Sequence, residues 1–371
     1  MPHSFLWGFF VGNARSQRGA LGPVASKGKL SWAVVRRLRA LALGPLALAL
    51  GLLAILPPAV AAKQSASTSA SRTSILEVTD EAGRAVRVAQ PVRRIVSLAP
   101  NLTETIFALG MGDVLVGDTD YCDYPPEALK KTHVGGPVNP SLEEIMALHP
   151  DLVLATPTIN RLVTVQALER LGVAVYVADP RTVEQVLSST ERLASMLGAS
   201  EQASKLVMSL RDRLEQLRER LSGSEPRSVF FVTWVDPLIS VGRDTFLSDA
   251  LRLAGARSVI ATPQDWPNIN LEEVLHLQPE YLIFSSDDPG QIQRQVAELR
   301  GRPGWQGLEA LRQNRIIILS EAISRPAPRL LDAIEQLARA LHPDRFTSEH
   351  PVTPASAASP SPIFSLAMGA L

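Results

Sequence analysis

The stretch that decides the fold is SLEEIMALHPDLVL at residues 141–154, because the chain repeats it as NLEEVLHLQPEYLI at residues 270–283. The two stretches align without a gap at an offset of 129 residues, which places Glu143 opposite Glu272. A segment repeated at that distance predicts two related lobes, each with a helix followed by a strand. Proteins of two lobes commonly bind ligands where the lobes meet, so the repeat also predicts a cleft.

Each copy of the repeat begins with a signal for a helix start. Ser141 and Asn270 are favourable N-cap residues, and Glu144 and Glu273 follow three positions later, which is the spacing of a capping box. A proline ends each helix, and the short apolar run after it predicts a buried strand.

Glu143 and Glu272 occupy the second helical position, where capping does not require a carboxylate. One interpretation is that they only favour the positive end of the helix dipole. The other is that they are docking carboxylates on the rims of the two lobes, matched to a partner with similar pseudo-symmetry. The residues alone leave both open.

The composition allows two domains of ordinary size, since the chain has 371 residues and 46% of them are hydrophobic. The formal net charge is zero, but residues 1–62 hold seven basic residues and no acidic one. The remainder therefore has 30 basic and 37 acidic residues. A nucleic-acid-binding domain would be basic, so no nucleic-acid partner is expected.

The N-terminal region has the layout of an export segment. Basic residues at 36–39 precede an uncharged, Ala- and Leu-rich run at 40–62 that ends in small residues. This predicts that residues 1–62 are an export signal or an N-terminal membrane anchor. Either one exports the rest of the chain to the periplasm or cell surface. Residues 63–75 are predicted to be a flexible linker, and residues 346–371 a disordered tail.

Between these segments, strand and helix patterns alternate, then give way to helix alone, then alternate again. The alternation predicts an N-terminal α/β lobe at 76–180 and a C-terminal α/β lobe at 223–345. Residues 181–222 are predicted to be a helical connector, broken once near Gly198. The predicted fold class is α/β, with two lobes that contain small parallel sheets and are joined by a long rigid helix.

Four aromatic residues lie on predicted loops at the ends of strands, where α/β proteins bind ligands. They are Tyr121, Tyr124, Trp234 and Trp266. Together they predict a stacking surface for a large planar or apolar ligand. The alternative is that some of these rings only pack against neighbouring prolines.

The segment SRPAPR at residues 324–329 forms a predicted rigid turn between a strand and a helix. Glu321 and Arg325 are placed to offer polar groups to the cleft, so both are candidate ligand-binding residues. Arg329 opens the last predicted helix, where a packing or ion-pair role is expected.

Catalytic patterns are missing from the sequence: it has no nucleophile-elbow, phosphate-loop or dinucleotide-binding motif. A metal-dependent enzyme would need Cys and His ligands, and Cys122 with His133 is the only plausible pair. Cys122, the single cysteine, fits a packed small residue better. We therefore expect no enzyme, no metal site and no resident cofactor.

Several segments together resemble the cobalamin-binding proteins of ABC importers. They are RIVSLAPNLTETIFALG (94–110), DYCDYPPEA (120–128), VGGPVNPSLEEIMALHPDLVLA (134–155), WVDP (234–237), GRDTFLSDALRLAGA (242–256), DWPNINLEEVL (265–275) and SRPAPR (324–329). These proteins belong to a helical-backbone class of substrate-binding proteins that also includes haem and ferric-siderophore binders. The resemblance covers roughly residues 76–343.

The resemblance implies a ligand sandwiched between lobes by aromatic side chains. Tyr121, Trp234 and Trp266 fall on ligand-contact positions of the family, and Glu321 falls near another. It also implies that Glu143 and Glu272 meet arginines on the two permease subunits. The chain departs from the family at two further positions, where Pro137 and Thr156 replace aromatic residues; its first-lobe stacking surface is therefore thinner.

The resulting hypothesis is an exported, monomeric receptor that captures cobalamin or a related corrinoid. It would deliver the ligand to an ABC permease dimer with its ATPase, and associate with the membrane through that transporter or through its N-terminal anchor. The alternative ligands are haem and a ferric siderophore, although an anionic chelate would require more Arg or Lys than the candidate site offers. Two further alternatives are an enzyme on a similar scaffold and an orphan receptor that signals rather than transports.

Overall fold

The computed structural model describes residues 74–346. The export segment predicted at 1–62 lies outside these residues, as do nearly all of the linker and of the tail. Two corrections follow at the borders. Ser74 and Ile75, predicted to end the linker, begin a strand, and Phe346, predicted to begin the tail, is buried against the core of the second lobe.

The described part of the chain opens with an antiparallel hairpin that the sequence analysis did not predict. Its strands are β1 (Ser74–Thr79) and β2 (Ala85–Gln90). The turn between them is held by the Asp80 carboxylate, which accepts hydrogen bonds from the backbone N–H groups of Ala82 and Arg84. Val86 and Val88 alternate with exposed residues and pack into the first hydrophobic core.

The first lobe is built on a parallel sheet of five strands in the order β5-β4-β3-β6-β7. The strands are β3 (Ile95–Ser97), β4 (Leu115–Asp118), β5 (Thr132–His133), β6 (Leu152–Ala155) and β7 (Val175–Val177). Its helices are α1 (Pro100–Ala108), α2 (Leu142–Ala147) and α3 (Leu162–Arg170).

Two helices join the lobes, α4 (Val183–Leu197) and α5 (Ser200–Leu221). The predicted break near Gly198 is confirmed, since this glycine adopts φ 77° and ends α4 in the left-handed conformation. The connector is therefore a pair of helices rather than one. Its longer member has 22 residues and spans about 33 Å.

Both connector helices are packed into both cores. Val183 and Leu187 of α4 belong to the core of the second lobe, whereas Leu193 belongs to that of the first. α5 runs back from Ala203 in the first core to Leu214 in the second. Bending the connector would disrupt close-packed side chains in either lobe, which is the physical reason to expect a stiff junction.

The second lobe is built on a parallel sheet of four strands in the order β11-β8-β12-β13. The strands are β8 (Arg227–Phe231), β11 (Ala256–Ser258), β12 (Tyr281–Ser285) and β13 (Ile316–Leu319), with a small hairpin of β9 (Trp234–Val235) and β10 (Leu238–Ile239). The helices are α6 (Phe246–Leu253), α7 (Leu271–Leu277), α8 (Pro289–Gly301), α9 (Glu309–Arg312) and α10 (Leu330–Leu341).

The two sheets share a topology, as the repeated segment predicts. The order β4-β3-β6-β7 in the first lobe matches β11-β8-β12-β13 in the second. In each lobe the repeated helix, α2 or α7, leads into the corresponding strand, β6 or β12. The prediction of an α/β fold with small parallel sheets is confirmed.

The caps of the repeated helices differ in detail. The Ser141 hydroxyl accepts from the N–H of Glu144, as predicted. The N–H of Ser141 donates to the carbonyl of Val134, in place of the Glu144 side chain that a capping box would use. Asn270 accepts from the N–H of Glu272, one position earlier than predicted.

Candidate ligand-binding cleft

A cavity of about 730 Å³ lies where the carboxyl ends of the strands in the two lobes meet, and its volume is within the ordinary range of ligand sites. The first lobe contributes Asp120, Tyr121 and Asp123. The second lobe contributes residues 232–236 and 284–288, one face of α8 (Gln291, Ile292, Gln295, Glu298), and Arg302, Glu321, Ser324 and Arg325.

Four of the six residues proposed from sequence to bind ligand line this cavity: Tyr121, Trp234, Glu321 and Arg325. Tyr121 and Trp234 place an aromatic ring from each lobe on the cavity wall. The indole of Trp234 is oriented by its N–H, which donates to the carbonyl of Asp236 at 2.7 Å.

The other two predicted residues lie elsewhere. Trp266 lines a second cavity of about 40 Å³, which shares Thr233, Ser324 and Arg325 with the larger one. The ring of Tyr124 lies under the guanidinium of Arg329 at 3.8 Å and is not part of either cavity lining. The structure therefore brings Trp266 to the same interlobe region, but gives Tyr124 a cation–π contact.

A buried ionic cluster joins the lobes beside the cavity. Arg325, which is 3% exposed, donates to Glu104 at 2.8 Å, to Asp123 at 2.6 Å and to Glu321 at 3.1 Å. Arg329 donates to both oxygens of Glu104 at 3.0 and 2.9 Å. The cluster holds three carboxylates and two guanidinium groups. The predicted ion-pair role of Arg329 is confirmed.

The pKa values of Arg325 and Glu321 in this cluster are both raised. Burial disfavours the charge of Arg325, but its hydrogen bond to Asp123 and the nearby charge of Glu104 raise its pKa above the ordinary value. Burial also raises the pKa of Glu321, and the positive charge of Arg325 offsets part of that rise. Arg325 therefore stays charged, and its charge is already neutralised by its neighbours.

Three buried polar atoms beside the smaller cavity have no hydrogen-bond partner. They are Nδ2 of Asn101, Oγ1 of Thr233 and Nε of Arg325, and all three residues line that cavity. Unpaired buried polar atoms are costly and rare. Two of the three are obligate donors, so this region suits the carbonyl oxygen of a ligand.

A second ionic contact fixes the loop that carries Trp266. Arg181, at the start of the connector, donates to both carboxylate oxygens of Asp265 at 2.9 and 2.6 Å. Those hydrogen bonds raise the pKa of Arg181. The bidentate geometry restricts the loop next to Trp266.

The two positions that depart from the family are part of a compact polar turn. Thr156 is buried and lines the smaller cavity, and its N–H donates to Asn160 at 2.7 Å. The amide of Asn160 also donates to the carbonyl of Pro137 at 2.8 Å. First-lobe stacking on the large cavity thus rests on Tyr121.

Sequence reasoning missed the acidic part of the lining. Asp287 and Asp288 follow β12 after one intervening residue, Ser286, and Glu298 lies one turn from the end of α8. The rule that ligands bind beyond the carboxyl ends of strands points to this segment as well.

Cys122 and His133, the candidate metal pair, are engaged separately. Cys122 is buried, its sulfur contacts the hydroxyls of Thr103 and Thr119, and burial raises its pKa to about 12. A thiol in that state is a poor ligand and nucleophile. His133 pairs with Asp118 at 2.8 Å. Among residues 74–346, no three His, Cys, Asp or Glu side chains cluster as metal ligands.

Glu143 and Glu272 lie away from the cavity lining. Both are exposed in the first turn of equivalent helices, α2 and α7. The helices within residues 74–346 include none with the length and apolar character needed to cross a membrane.

Comparison with known proteins gives consistent matches. The family described as periplasmic binding protein matches residues 95–322. A vitamin B12-binding protein of Photorhabdus laumondii is 33% identical over 250 residues, which cover 67% of this chain and 88% of that protein. An uncharacterised ABC transporter substrate-binding lipoprotein of Bacillus subtilis is 30% identical over 296 residues, which cover 77% and 92%.

Solved structures show the same fold. The periplasmic vitamin B12-binding protein of Vibrio cholerae superposes with a TM-score of 0.61 at 30% identity, covering 68% of this chain and 97% of that one. A periplasmic haem-binding protein from Roseiflexus sp. RS-1 superposes with a TM-score of 0.61 at 26% identity, covering 68% and 99%.

Proposed function

The chain belongs to the periplasmic binding protein family, and we propose that it captures cobalamin or a related corrinoid between its lobes and delivers it to an ABC importer. The observation that carries the proposal is the interlobe cavity of about 730 Å³, with Tyr121 of one lobe and Trp234 of the other on its wall. Rings on facing lobes suit a large planar ligand. The relatives named vitamin B12-binding protein support the same ligand.

Haem is the second candidate, because a solved haem-binding protein shares the fold at 26% identity. The charge of the cavity opposes it. Seven carboxylates and two guanidinium groups line the cavity, and a ligand with ionised propionates or an anionic siderophore would face like charge. Cobalamin instead presents neutral amide side chains, which match unpaired donors such as Nε of Arg325.

The six residues predicted to bind ligand enter the proposal with different roles. Tyr121, Trp234 and Trp266 would contact the corrin, and Glu321 and Arg325 would make polar contacts with its substituents. Tyr124 would act indirectly by holding Arg329. The polypeptide would need no cofactor or metal of its own, and no catalytic step is proposed.

Delivery would use Glu143 and Glu272 as docking residues for the two subunits of a permease dimer with its ATPase. They occupy the same place in the repeat and are exposed on both lobes. Two equivalent carboxylates on a pseudo-symmetric surface suit a symmetric partner. The receptor would be an exported monomer, with residues 1–62 as its export signal or anchor and with lobes at 76–180 and 223–345 around the connector at 181–222.

The test is calorimetric titration of the purified full chain with cyanocobalamin, with haem and a ferric hydroxamate siderophore as parallel ligands. One-to-one binding of cyanocobalamin alone is the expected result. Binding of haem or the siderophore in its place would overturn the ligand assignment, and binding of none of the three would overturn the proposal as a whole.

A further inference from the structure

The ligand cavity is unevenly charged. The carboxylates on its lining are Asp120, Asp123, Asp236, Asp287, Asp288, Glu298 and Glu321, whereas its basic residues are Arg302 and Arg325. We call the second-lobe residues Asp236, Asp287, Asp288 and Glu298 the acidic wall. All four are exposed, so they lie on the solvent side of the cavity.

The buried arginine does not offset this charge. The guanidinium of Arg325 donates to Glu104, Asp123 and Glu321. With Arg329 included, this buried cluster holds two positive and three negative groups. A ligand that approaches Arg325 therefore meets an already neutralised cation whose buried Nε–H has no hydrogen-bond partner, which suits a neutral acceptor.

Two members of the acidic wall are fixed by backbone hydrogen bonds. Asp287 accepts from the N–H of Glu321 at 2.9 Å, and Asp288 accepts from the N–H of Gln291 at 3.2 Å. Such bonds hold each carboxylate in place. The N-terminus of α8 and the guanidinium of Arg294, which lies 3.8 Å from the Asp288 carboxylate, offset part of the charge of Asp288, but Asp236 and Glu298 lie outside that first turn.

We propose that the acidic wall selects among corrinoids by net charge, so that cationic corrinoids bind more tightly than neutral ones. This inference rests on the proposed function. The three charges of cobalt(III) in cyanocobalamin are balanced by the corrin ring, the nucleotide phosphate and the cyanide. Cyanocobalamin is therefore neutral, and replacement of its cyanide by water leaves one net positive charge. Dicyanocobinamide lacks the phosphate but is also neutral, and replacement of one of its two cyanides by water leaves one net positive charge as well.

The expected size follows from Coulomb's law. Several carboxylates at roughly 10 Å, acting through water, favour a monocation on the order of tenfold at low ionic strength. At about 0.15 M salt the Debye length is about 8 Å, and the preference falls to about twofold.

The experiment measures dissociation constants of aquocobalamin and cyanocobalamin for the full chain at both salt concentrations, below the pH at which the bound water ionises. The test variant combines Asp236→Asn, Asp288→Asn and Glu298→Gln. Asparagine at 288 keeps an N-cap for α8. The control variant removes three carboxylates that do not line the cavity, through Glu201→Gln, Glu215→Gln and Glu309→Gln.

The wild type and the control variant should prefer aquocobalamin about tenfold at low salt, and the test variant should lose most of that preference. Aquocyanocobinamide and dicyanocobinamide form a second pair of unequal charge. The cationic member, aquocyanocobinamide, should again bind more tightly to the wild type and the control variant, and this preference should again be mostly lost in the test variant. The absorption spectrum of bound aquocobalamin should match that of the free form, which shows that water remains on cobalt.

Equal affinity within both pairs for the wild type would overturn the inference and leave the proposed function standing. A preference that survives in the test variant, or a spectral change that reports a protein ligand on cobalt, would also overturn it. Failure of every corrinoid to bind would instead overturn the proposed function.

Discussion

Replacing Glu104 by glutamine tests the buried ionic cluster. The Glu104 side chain is 2% exposed and accepts from Arg325 and from Arg329, which are 3% and 17% exposed. Glutamine keeps the shape but removes the charge, so Arg325 retains Asp123 and Glu321 whereas Arg329 loses its carboxylate partner. Breaking a buried pair typically costs 3–5 kcal/mol because a buried charge loses its partner. Since two carboxylates remain near Arg325, we expect a loss of about 3 kcal/mol in the free energy of unfolding.

The assay is urea unfolding followed by circular dichroism, with Glu184→Gln as the matched control. Glu184 pairs with Arg211 on the connector, but their side chains are 59% and 41% exposed. Surface pairs of this kind contribute below about 1 kcal/mol. If Glu104→Gln costs no more than the control, the cluster does not stabilise the fold through buried charge–charge interactions.

Three further predictions concern binding, docking and reactivity. Trp234→Ala should weaken corrinoid binding by tenfold or more, of the order expected for lost aromatic contact area. The control Trp305→Phe changes the core of the second lobe and should alter the unfolding midpoint but not the dissociation constant. Calorimetry measures the dissociation constant, and thermal melts measure the unfolding midpoint. Reversal of Glu143 and Glu272 to Arg should leave corrinoid affinity unchanged and abolish uptake by cells that carry the cognate permease, and a collapse of affinity would show that these residues are not a docking surface. Cys122, with its pKa raised to about 12, is a protonated thiol at neutral pH and should react with a disulfide reagent only after unfolding; rapid modification of the native protein would contradict its burial.

Local signals in the sequence were sufficient for most of the fold. The repeated segment predicted α7 (Leu271–Leu277) and, after it, β12 (Tyr281–Ser285), because caps, proline stops and apolar runs agree there. The hairpin at 74–90 was missed although Val86 and Val88 alternate with exposed residues. Its turn is set by an aspartate side chain rather than by a common hairpin dipeptide.

The candidate site was predictable only in part, since strand ends can be read from sequence but contacts between distant residues cannot. The strand-end rule led to Tyr121, Trp234 and Arg325, which line one cavity. Two of the three partners of Arg325 are distant along the chain, Glu104 by 221 residues and Asp123 by 202. No local pattern links them, and so the capture of Arg325 by carboxylates, which sets the charge of the site, needed the structure.

The way the lobes are tied together also bears on how a ligand reaches the cavity. The connector helices are packed into both cores, Arg181 holds the loop before Trp266, and Arg325 ties the lobes beside the cavity. A wide separation of the lobes would disrupt all three contacts together. Entry from the solvent side requires none of these changes, and that side is where Asp287 and Glu298 are exposed. A ligand therefore meets the acidic wall first, and because exposed charges of one sign steer association, the wall should raise the association rate of cationic corrinoids as well as their affinity.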